Sequence, residues 1–138
     1  MERFPLKIAR INPTEMPNAE SIGYSQISVV EPGRMAYISG QVAVSPDGGP
    51  VPTSLSDQMK VVAGNARAAL HALRASPQDI VIARCLVTDL TPERLEEVMP
   101  PLLELFDGAK PSLTGFGVAA LAAPELQVEL ELTVRLPD

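Results

Sequence analysis

Several residue types are scarce in this sequence, and each scarcity excludes a class of protein. Cys85 is the single cysteine, so no disulfide can form within the chain, and a lone thiol is typical of a reducing compartment. There is no tryptophan, and aromatic residues make up 4% of the chain, which leaves little material for stacking single-stranded nucleic acid. No run of eighteen apolar residues occurs, so we expect no membrane-spanning helix.

Positive charge is also scarce, which narrows the range of partners. The formal net charge is −6, and the lysines and arginines are scattered along the chain, so we expect no nucleic-acid partner. Residues 1–12 mix charged and apolar residues and contain no apolar core of a secretory signal. Together these features predict a cytoplasmic protein that interacts with neither nucleic acid nor membrane.

The most regular stretch is residues 126–136, which alternate apolar and polar residues without a break. Side chains of a β-strand point to opposite faces in turn, so this pattern predicts a strand with one apolar and one polar face. The polar residues are Gln127, Glu129, Glu131, Thr133 and Arg135. The apolar face must cover helices, whereas the polar face meets either water or another subunit and a binding cleft.

Short strands are predicted early in the chain. Residues 7–12 predict an edge strand, and residues 27–30 and 35–44 predict two strands of a hairpin. The hairpin is expected because Pro32 and Gly33 lie between its strands and favour a turn.

Two further strands are predicted in the second half. Residues 80–89 are rich in Ile, Val and Leu with little alternation, which is typical of a strand covered on both sides, and Cys85 is expected to be buried there. Residues 113–121 predict a strand with glycines at 115 and 117, where a backbone or a ligand can approach closely.

Two amphipathic helices are predicted between these strands. The first begins near Thr53 or Ser54, either of which can cap it, and its apolar residues repeat every three or four positions. The second begins after Thr91, which is followed by proline at the first helical position. Because a proline inside a helix removes a hydrogen bond and clashes with the preceding turn, Pro100 and Pro101 predict a sharp kink or two short helices.

The predicted order of elements is β-β-α-β-α-β-β, in one domain that spans residues 1–138. We therefore predict an α+β fold in which one sheet carries both helices on the same face. The other face of the sheet would be bare and partly apolar, which is a liability unless another copy of the chain covers it. The pattern therefore predicts a homo-oligomer.

Five segments, in this order and at this spacing, resemble the RidA family, also called YjgF. They are Gly23-Tyr24-Ser25-Gln26, Tyr37-Ile38-Ser39-Gly40-Gln41, Asn65, Val87-Thr88-Asp89-Leu90 and Val128-Glu129-Leu130-Glu131. The resemblance covers nearly the whole chain. It implies a chorismate-mutase-like α+β fold assembled as a homotrimer, with small-molecule clefts between the subunits.

The resemblance also implies a type of chemistry. Characterised members hydrolyse reactive enamines and imines, such as 2-aminoacrylate, that escape from pyridoxal-phosphate enzymes. The products are a 2-keto acid and ammonia. No cofactor or metal is used, and the implied partners are other copies of the chain and a small molecule in the intersubunit cleft.

The sequence departs from the family at the residue that binds the substrate carboxylate. In such members this residue is the arginine of a Pro-Ala-Arg-Ser motif, whose planar guanidinium gives two parallel charged hydrogen bonds. The matching residues here are Pro111-Ser112-Leu113-Thr114, so Leu113 stands at the arginine position. Losing such a buried bond costs about 3–5 kcal/mol, or roughly a hundredfold and more in binding. Lys110 is the candidate substitute cation.

The other residues implied by the resemblance have structural alternatives. Glu129 matches the glutamate that orients and activates the attacking water, but a polar residue is expected there on an amphipathic strand in any case. Tyr24 matches a cleft tyrosine or packs at an oligomer rim, and Ser39 matches a pocket serine or bonds the backbone in a bend. The candidate substrate-binding residues are Tyr24, Ser39, Leu113 and Thr114, and the candidate catalytic residue is Glu129.

Three functions are compatible with these residues. The first is a RidA-like hydrolase of an enamine, imine or related small molecule that lacks a carboxylate, with Glu129 positioning water and Leu113 forming one wall of an apolar pocket. The second is a trimer that binds a metabolite, or nothing, without catalysis. The third is the activity of the arginine-bearing members, with Lys110 or an arginine of a neighbouring subunit as the cation.

Overall fold

The structure, a computed structural model, describes residues 7–138. Residues 1–6, half of the segment analysed above for a secretory signal, lie outside this range. The strands are β1 (Ile8–Ile11), β2 (Ile27–Val30), β3 (Met35–Gln41), β4 (Ile80–Thr88), β5 (Ser112–Val118) and β6 (Val128–Arg135). The helices are α1 (Leu55–Ala72) and α2 (Pro92–Phe106), and a short 3₁₀ helix, Pro77–Asp79, precedes β4.

The last strand, β6, lies in the middle of a four-stranded sheet with the order β3-β6-β4-β5. It is antiparallel to both of its neighbours, whereas β4 and β5 run parallel to each other. The apolar residues that the sequence places on one face of this strand, Val128, Leu130, Leu132 and Val134, are all buried. The alternation in the sequence therefore predicted both the strand and its buried face correctly.

The strands β1 and β2 form a separate antiparallel pair, so the predicted edge strand at residues 7–12 is confirmed. A backbone bridge between Ser25 and Ser112 joins this pair to the edge of the main sheet. The predicted hairpin between β2 and β3 is wrong, because β2 pairs with β1 and β3 pairs with β6.

Arg135 of β6 holds the turn that the sequence assigned to this hairpin. Arg135 is 3% exposed, and its Nε donates to the carbonyl of Glu31 at 3.1 Å while its Nη2 donates to the carbonyl of Pro32 at 2.9 Å. A Cβ built on Gly33 would overlap the same guanidinium, so glycine leaves the space that the arginine fills. The turn is therefore tied to the main sheet by a side chain about a hundred residues away along the sequence.

Both helices pack on the buried face of the sheet, as the α+β prediction requires. Ser54 begins α1, because its Oγ accepts the amide of Asp57 at 3.1 Å, and Thr91 begins α2 by accepting the amide of Arg94 at 3.2 Å. Both predicted helix starts are thus confirmed. No helix within residues 7–138 has the length and apolar character needed to cross a bilayer.

The second helix is continuous from Pro92 to Phe106, so its predicted division into two helices is wrong. Pro100 and Pro101 leave the carbonyls of Glu96 and Glu97, four residues earlier, without their helical hydrogen bonds. Both glutamates are exposed, so water can satisfy these carbonyls. Pro101 itself is buried, and its packing offsets part of the cost of the missing bond.

The second face of the sheet is uncovered by residues 7–138, and we call it the open face. Its residues, from β3 to β5, include Tyr37, Glu129, Glu131, Arg84, Leu86, Thr114 and Phe116. Tyr37 is 77% exposed and Phe116 is 39% exposed. Within one chain β4 is therefore buried only on its helix side, whereas the sequence predicted cover on both sides.

We expect Gly33→Ala to destabilise the protein, because the new methyl group would displace the Arg135 guanidinium from the carbonyls it binds. The loss should be about 1–3 kcal/mol of the free energy of unfolding, measured by urea denaturation. In an Arg135→Ala background the same glycine substitution should cost much less, since no guanidinium remains to be displaced.

Gly64→Ala is the matched control for this double-mutant cycle. Gly64 is exposed in α1, and a Cβ built on it has no neighbouring atom within 4 Å. The substitution should stabilise the protein by about 1 kcal/mol in both backgrounds through helix propensity. An equal cost of Gly33→Ala with and without Arg135 would contradict the proposed clash.

Candidate functional site

An apolar cavity of about 310 Å³ lies between α2 and the β4–β5 side of the sheet. Its walls include Val98, Met99 and Leu102 of α2 and Cys85 and Val87 of β4. None of the described residues that line it is Asp, Glu, Lys, Arg or His. The cavity is therefore suited to a neutral apolar ligand, and its walls offer no cationic partner to a carboxylate.

Leu113 and Gly115 of β5 form another wall of this cavity. Residues two apart on a strand share a face, and the register of β5 sets these two opposite Ala83 and Cys85 of β4. Because Ala83 and Cys85 are buried under the helices, Leu113 and Gly115 also face the helix side. Leu113 thus lies in the wall of an apolar pocket.

Tyr24 reaches the same cavity from the loop before β2. The amides of Ile22, Gly23 and Tyr24 all donate to the carbonyl of Ala19, at 3.0–3.3 Å, which closes this loop. Gly23 has a φ of +119° and lies so close to Leu103 of α2 that a Cβ would collide with it. Glycine at this position therefore lets the loop pack on the helix, and the structure brings Tyr24 and the leucine of β5 together.

Glu129, the candidate catalytic residue, lies on the opposite side of the sheet. It belongs to β6, where it pairs with Leu86 of β4 on the open face. A Cβ built on Gly40 of β3 would overlap the Glu129 carboxylate, so the missing side chain at Gly40 gives the carboxylate its place. Within one chain the sheet therefore separates Glu129 from the apolar cavity.

Ser39 and Thr114 are also on the open face rather than in the cavity. Ser39 lies beside the irregular pairing in β3 and borders a groove of about 220 Å³ that includes Arg84 and Glu131. These two form an ion pair at 3.4 Å, with both side chains 42% exposed. Thr114 pairs with Arg84 and is exposed. The five candidate residues therefore divide into two groups on opposite faces of one sheet.

Lys110, the candidate substitute cation, is not part of the wall of the apolar cavity within one chain. It precedes Pro111 and is half-buried. Of residues 110–114, only Leu113, which stands at the family's arginine position, lines the cavity.

Two side-chain amides of α1 hold loops in place. Asn65, one of the segments of family resemblance, donates from Nδ2 to the carbonyls of Val42 and Val44 at 3.3 and 2.9 Å. Gln58 is fully buried, and its Nε2 donates to two loop carbonyls at 2.8 Å each while its Oε1 accepts the amide of Gln127 at 2.9 Å. Sequence analysis missed Gln58, because its position on the apolar stripe of α1 was the only signal.

Cys85 lies in the wall of the cavity. It is buried, as expected, and burial raises the pKa of its thiol to about 12. Within residues 7–138 no three His, Cys, Asp or Glu side chains lie close enough together to hold a metal ion.

The fold and the cavity define a class: a small α+β protein with a two-helix layer on one face of its sheet and an apolar pocket beneath α2. Residues 15–136 match the family model described as Endoribonuclease L-PSP, so the chain belongs to this family. YyfB from Yersinia pestis, a protein of unknown function of the conserved Rid family, is 32% identical. Its structure superposes with a TM-score of 0.89 over 95% of this chain and 100% of that chain, which confirms the Rid (YjgF) resemblance.

Two other relatives share lower identity. Escherichia coli TdcF, whose crystal structure contains bound serine, is 27% identical, with a TM-score of 0.67 over 81% of this chain and 87% of that chain. The mitochondrial protein Mmf1 from Saccharomyces cerevisiae is 28% identical over 121 residues, which cover 88% of this chain and 79% of that protein.

We expect Cys85 to resist alkylation in the folded protein. With its pKa near 12 the thiol is ionised on the order of a thousandfold less than a free cysteine at pH 8, and only the thiolate reacts. Iodoacetamide labelling followed by mass spectrometry should therefore be slow in buffer and fast in concentrated urea. Cys85→Ala serves as the unlabelled control, and rapid labelling of the folded protein would contradict the raised pKa of the thiol.

Proposed function

We propose that this Rid-family protein hydrolyses a small imine or enamine that carries no carboxylate, in a cleft shared between copies of the chain. The observation that carries the proposal is Leu113, which lies in an uncharged cavity at the position of the arginine in the resembling motif. A carboxylate held there would be buried without a charge partner, which is strongly unfavourable. TdcF binds serine, whose carboxylate such a cavity would not accept, and we propose that this chain differs in that respect.

The proposed reaction adds water to the carbon of a C=N bond. An enamine first tautomerises to its imine, and the water oxygen then bonds to the imine carbon while a base takes a proton from the water. The resulting carbinolamine breaks its C–N bond, releases ammonia and leaves a carbonyl product. Glu129 is the proposed base: its carboxylate passes the water proton to the imine nitrogen as the carbinolamine forms, and then passes the hydroxyl proton of the carbinolamine to the nitrogen as ammonia departs.

This role for Glu129 requires more than one copy of the chain. Because Glu129 and Leu113 lie on opposite faces of the sheet, they meet only if the open face of one copy closes on the cavity of another. The exposed aromatic residues of the open face support such an assembly. We therefore propose a homotrimer in which Tyr24 and Leu113 of one copy face Glu129, Ser39 and Thr114 of the next.

A second candidate function is binding without catalysis. The observation that favours it is that no carboxylate and no histidine occurs among the described residues of the cavity wall, where Tyr24 and Cys85 are the ionisable residues. Burial keeps the Cys85 thiol protonated at neutral pH, so it supplies no base. In this case the trimer would hold a neutral metabolite and release it unchanged.

The net charge of the protein bears on whether it binds nucleic acid. The matched family is described by an endoribonuclease activity, but a net charge of −6 and an uncharged cavity do not favour a polyphosphate backbone. We propose that the protein acts in the cytoplasm on a small molecule, with no nucleic-acid or membrane partner and no cofactor.

We expect the protein to accelerate hydrolysis of the imine of butanal, formed in situ from butylamine by an amine oxidase. It should not accelerate hydrolysis of 2-iminobutanoate, which has the same number of carbons but carries a carboxylate on its imine carbon. Glu129→Gln should abolish the acceleration, and Leu113→Arg should shift the preference toward 2-iminobutanoate by about a hundredfold, the effect of one charged bidentate contact. The measurement is carbonyl release above the spontaneous rate.

Glu104→Gln is the matched control, because this carboxylate is exposed on α2 and lies outside the apolar cavity. Its activity should equal that of the parent protein. Rapid hydrolysis of 2-iminobutanoate by the parent, lost in Glu129→Gln, would support the arginine-type activity with another cation. Absence of any acceleration would favour the binding function.

We expect light scattering at micromolar concentration to give three times the mass of one chain. Tyr37→Glu should dissociate this assembly, because it would bury a charge where the open face of one copy meets the next copy. Ala68→Glu, which places the same charge on an exposed position of α1, should leave the mass unchanged. A monomeric parent protein would contradict both the trimer and the shared cleft.

A further inference from the structure

Gly115 lies in the middle of β5, in the wall of the apolar cavity. Glycine in the interior of a strand weakens it, because glycine loses the most backbone entropy on folding and has no side chain to pack. A glycine in this position therefore needs a reason.

The part of the chain that the structure describes supplies no such reason. The positive-φ glycines among residues 7–138 are Gly23, Gly48 and Gly108, so the backbone at Gly115 is one that any residue can adopt. A Cβ built on Gly115 has no atom within 4 Å, whereas one built on Gly33 or Gly40 would overlap a neighbouring side chain. Neither a turn nor close packing within the chain accounts for this glycine.

The space left by the missing side chain belongs to the cavity. A side chain at position 115 would project from the same face as Leu113, opposite Cys85, into the apolar volume. That volume of about 310 Å³ is roughly twice that of a dry cavity known to take up benzene. Two of the lining residues, Ile22 and Leu95, are 53% and 41% exposed, so a small molecule can reach the cavity from solvent.

We infer that Gly115 determines the size of the ligand that this cavity accepts, and that the ligand places a neutral branched aliphatic or aromatic group against it. The inference rests on the proposed function, because it concerns the same cavity and names the class of substrate. Pockets of this kind discriminate by fit, and one methylene changes selectivity by about 10- to 200-fold. A side chain at 115 would therefore exclude the ligand group while improving the strand.

The experiment uses indole as a neutral probe and indole-3-carboxylate as its charged counterpart. The protein has no tryptophan, so indole fluorescence reports binding without interference from the chain. The full-length protein should bind indole at least tenfold more tightly than the carboxylate. Gly115→Val should weaken indole binding at least tenfold, with a melting temperature equal to or above that of the parent, and Gly115→Ala should have a smaller effect in the same direction.

Gly64→Ala is the matched glycine control, since a Cβ there also has free space but lies on α1, outside the cavity lining. It should raise the melting temperature and leave indole binding unchanged. The Gly115→Ala variant keeps the test valid if the valine variant does not fold, because one methyl group meets no atom within 4 Å.

Three results would overturn the inference. The first is a parent protein that binds no indole. The second is a folded Gly115→Val variant that binds indole as the parent does. The third is dissociation of the oligomer by Gly115→Ala, which would show that the glycine serves packing between copies.

Failure of the proposed function would look different. If Gly115→Val excludes indole but the parent hydrolyses no imine, the ligand-size inference stands and the hydrolase proposal fails. If imine hydrolysis is present and Gly115→Val leaves it unchanged, the hydrolase proposal stands and this inference fails.

Discussion

The structure depends on one constraint, the strict alternation of side chains along β6. The strand lies in the middle of the sheet, so the residues that bury its apolar face also fix which way its polar residues point. Because Leu130 and Leu132 lie under the helices, the side chain of Glu129 must lie on the open face. This alternation separates the Glu129 carboxylate from the cavity. The proposed reaction therefore needs a second copy of the chain.

Local patterns in the sequence predicted the features that depend on interactions between residues close together in the chain. The caps at Ser54 and Thr91 and the buried face of β6 could be read directly, because each depends on neighbours within a few residues. Contacts between residues far apart in the sequence could not be predicted in this way. The turn at Pro32-Gly33 was correctly recognised, but it was assigned to a hairpin because nothing nearby indicates that Arg135 fills it. Likewise, Pro100 and Pro101 are accommodated in one helix because the carbonyls they leave unpaired are exposed to water.

The candidate site could be predicted from the sequence in part, for the same reason. Period two along β5 places Gly115 on the same face as Leu113, and the sequence had marked this glycine as a place of close approach. That this face is the helix side required the register of β5 against β4, which pairs residues about thirty positions apart. The division of Tyr24 and Leu113 from Glu129, Ser39 and Thr114 was therefore beyond sequence analysis, since alternation relates residues within a strand but not between strands.

The central position of β6 has a consequence for the order in which the protein can form on the ribosome. β3 pairs with β6 and with no other strand among residues 7–138, although some ninety residues of chain separate them. The parallel pair β4–β5 can associate earlier, but β3 keeps its backbone groups unpaired until β6 has emerged. During synthesis the nascent chain therefore exposes a strand edge until almost the whole domain is available, and its sheet closes in one late step.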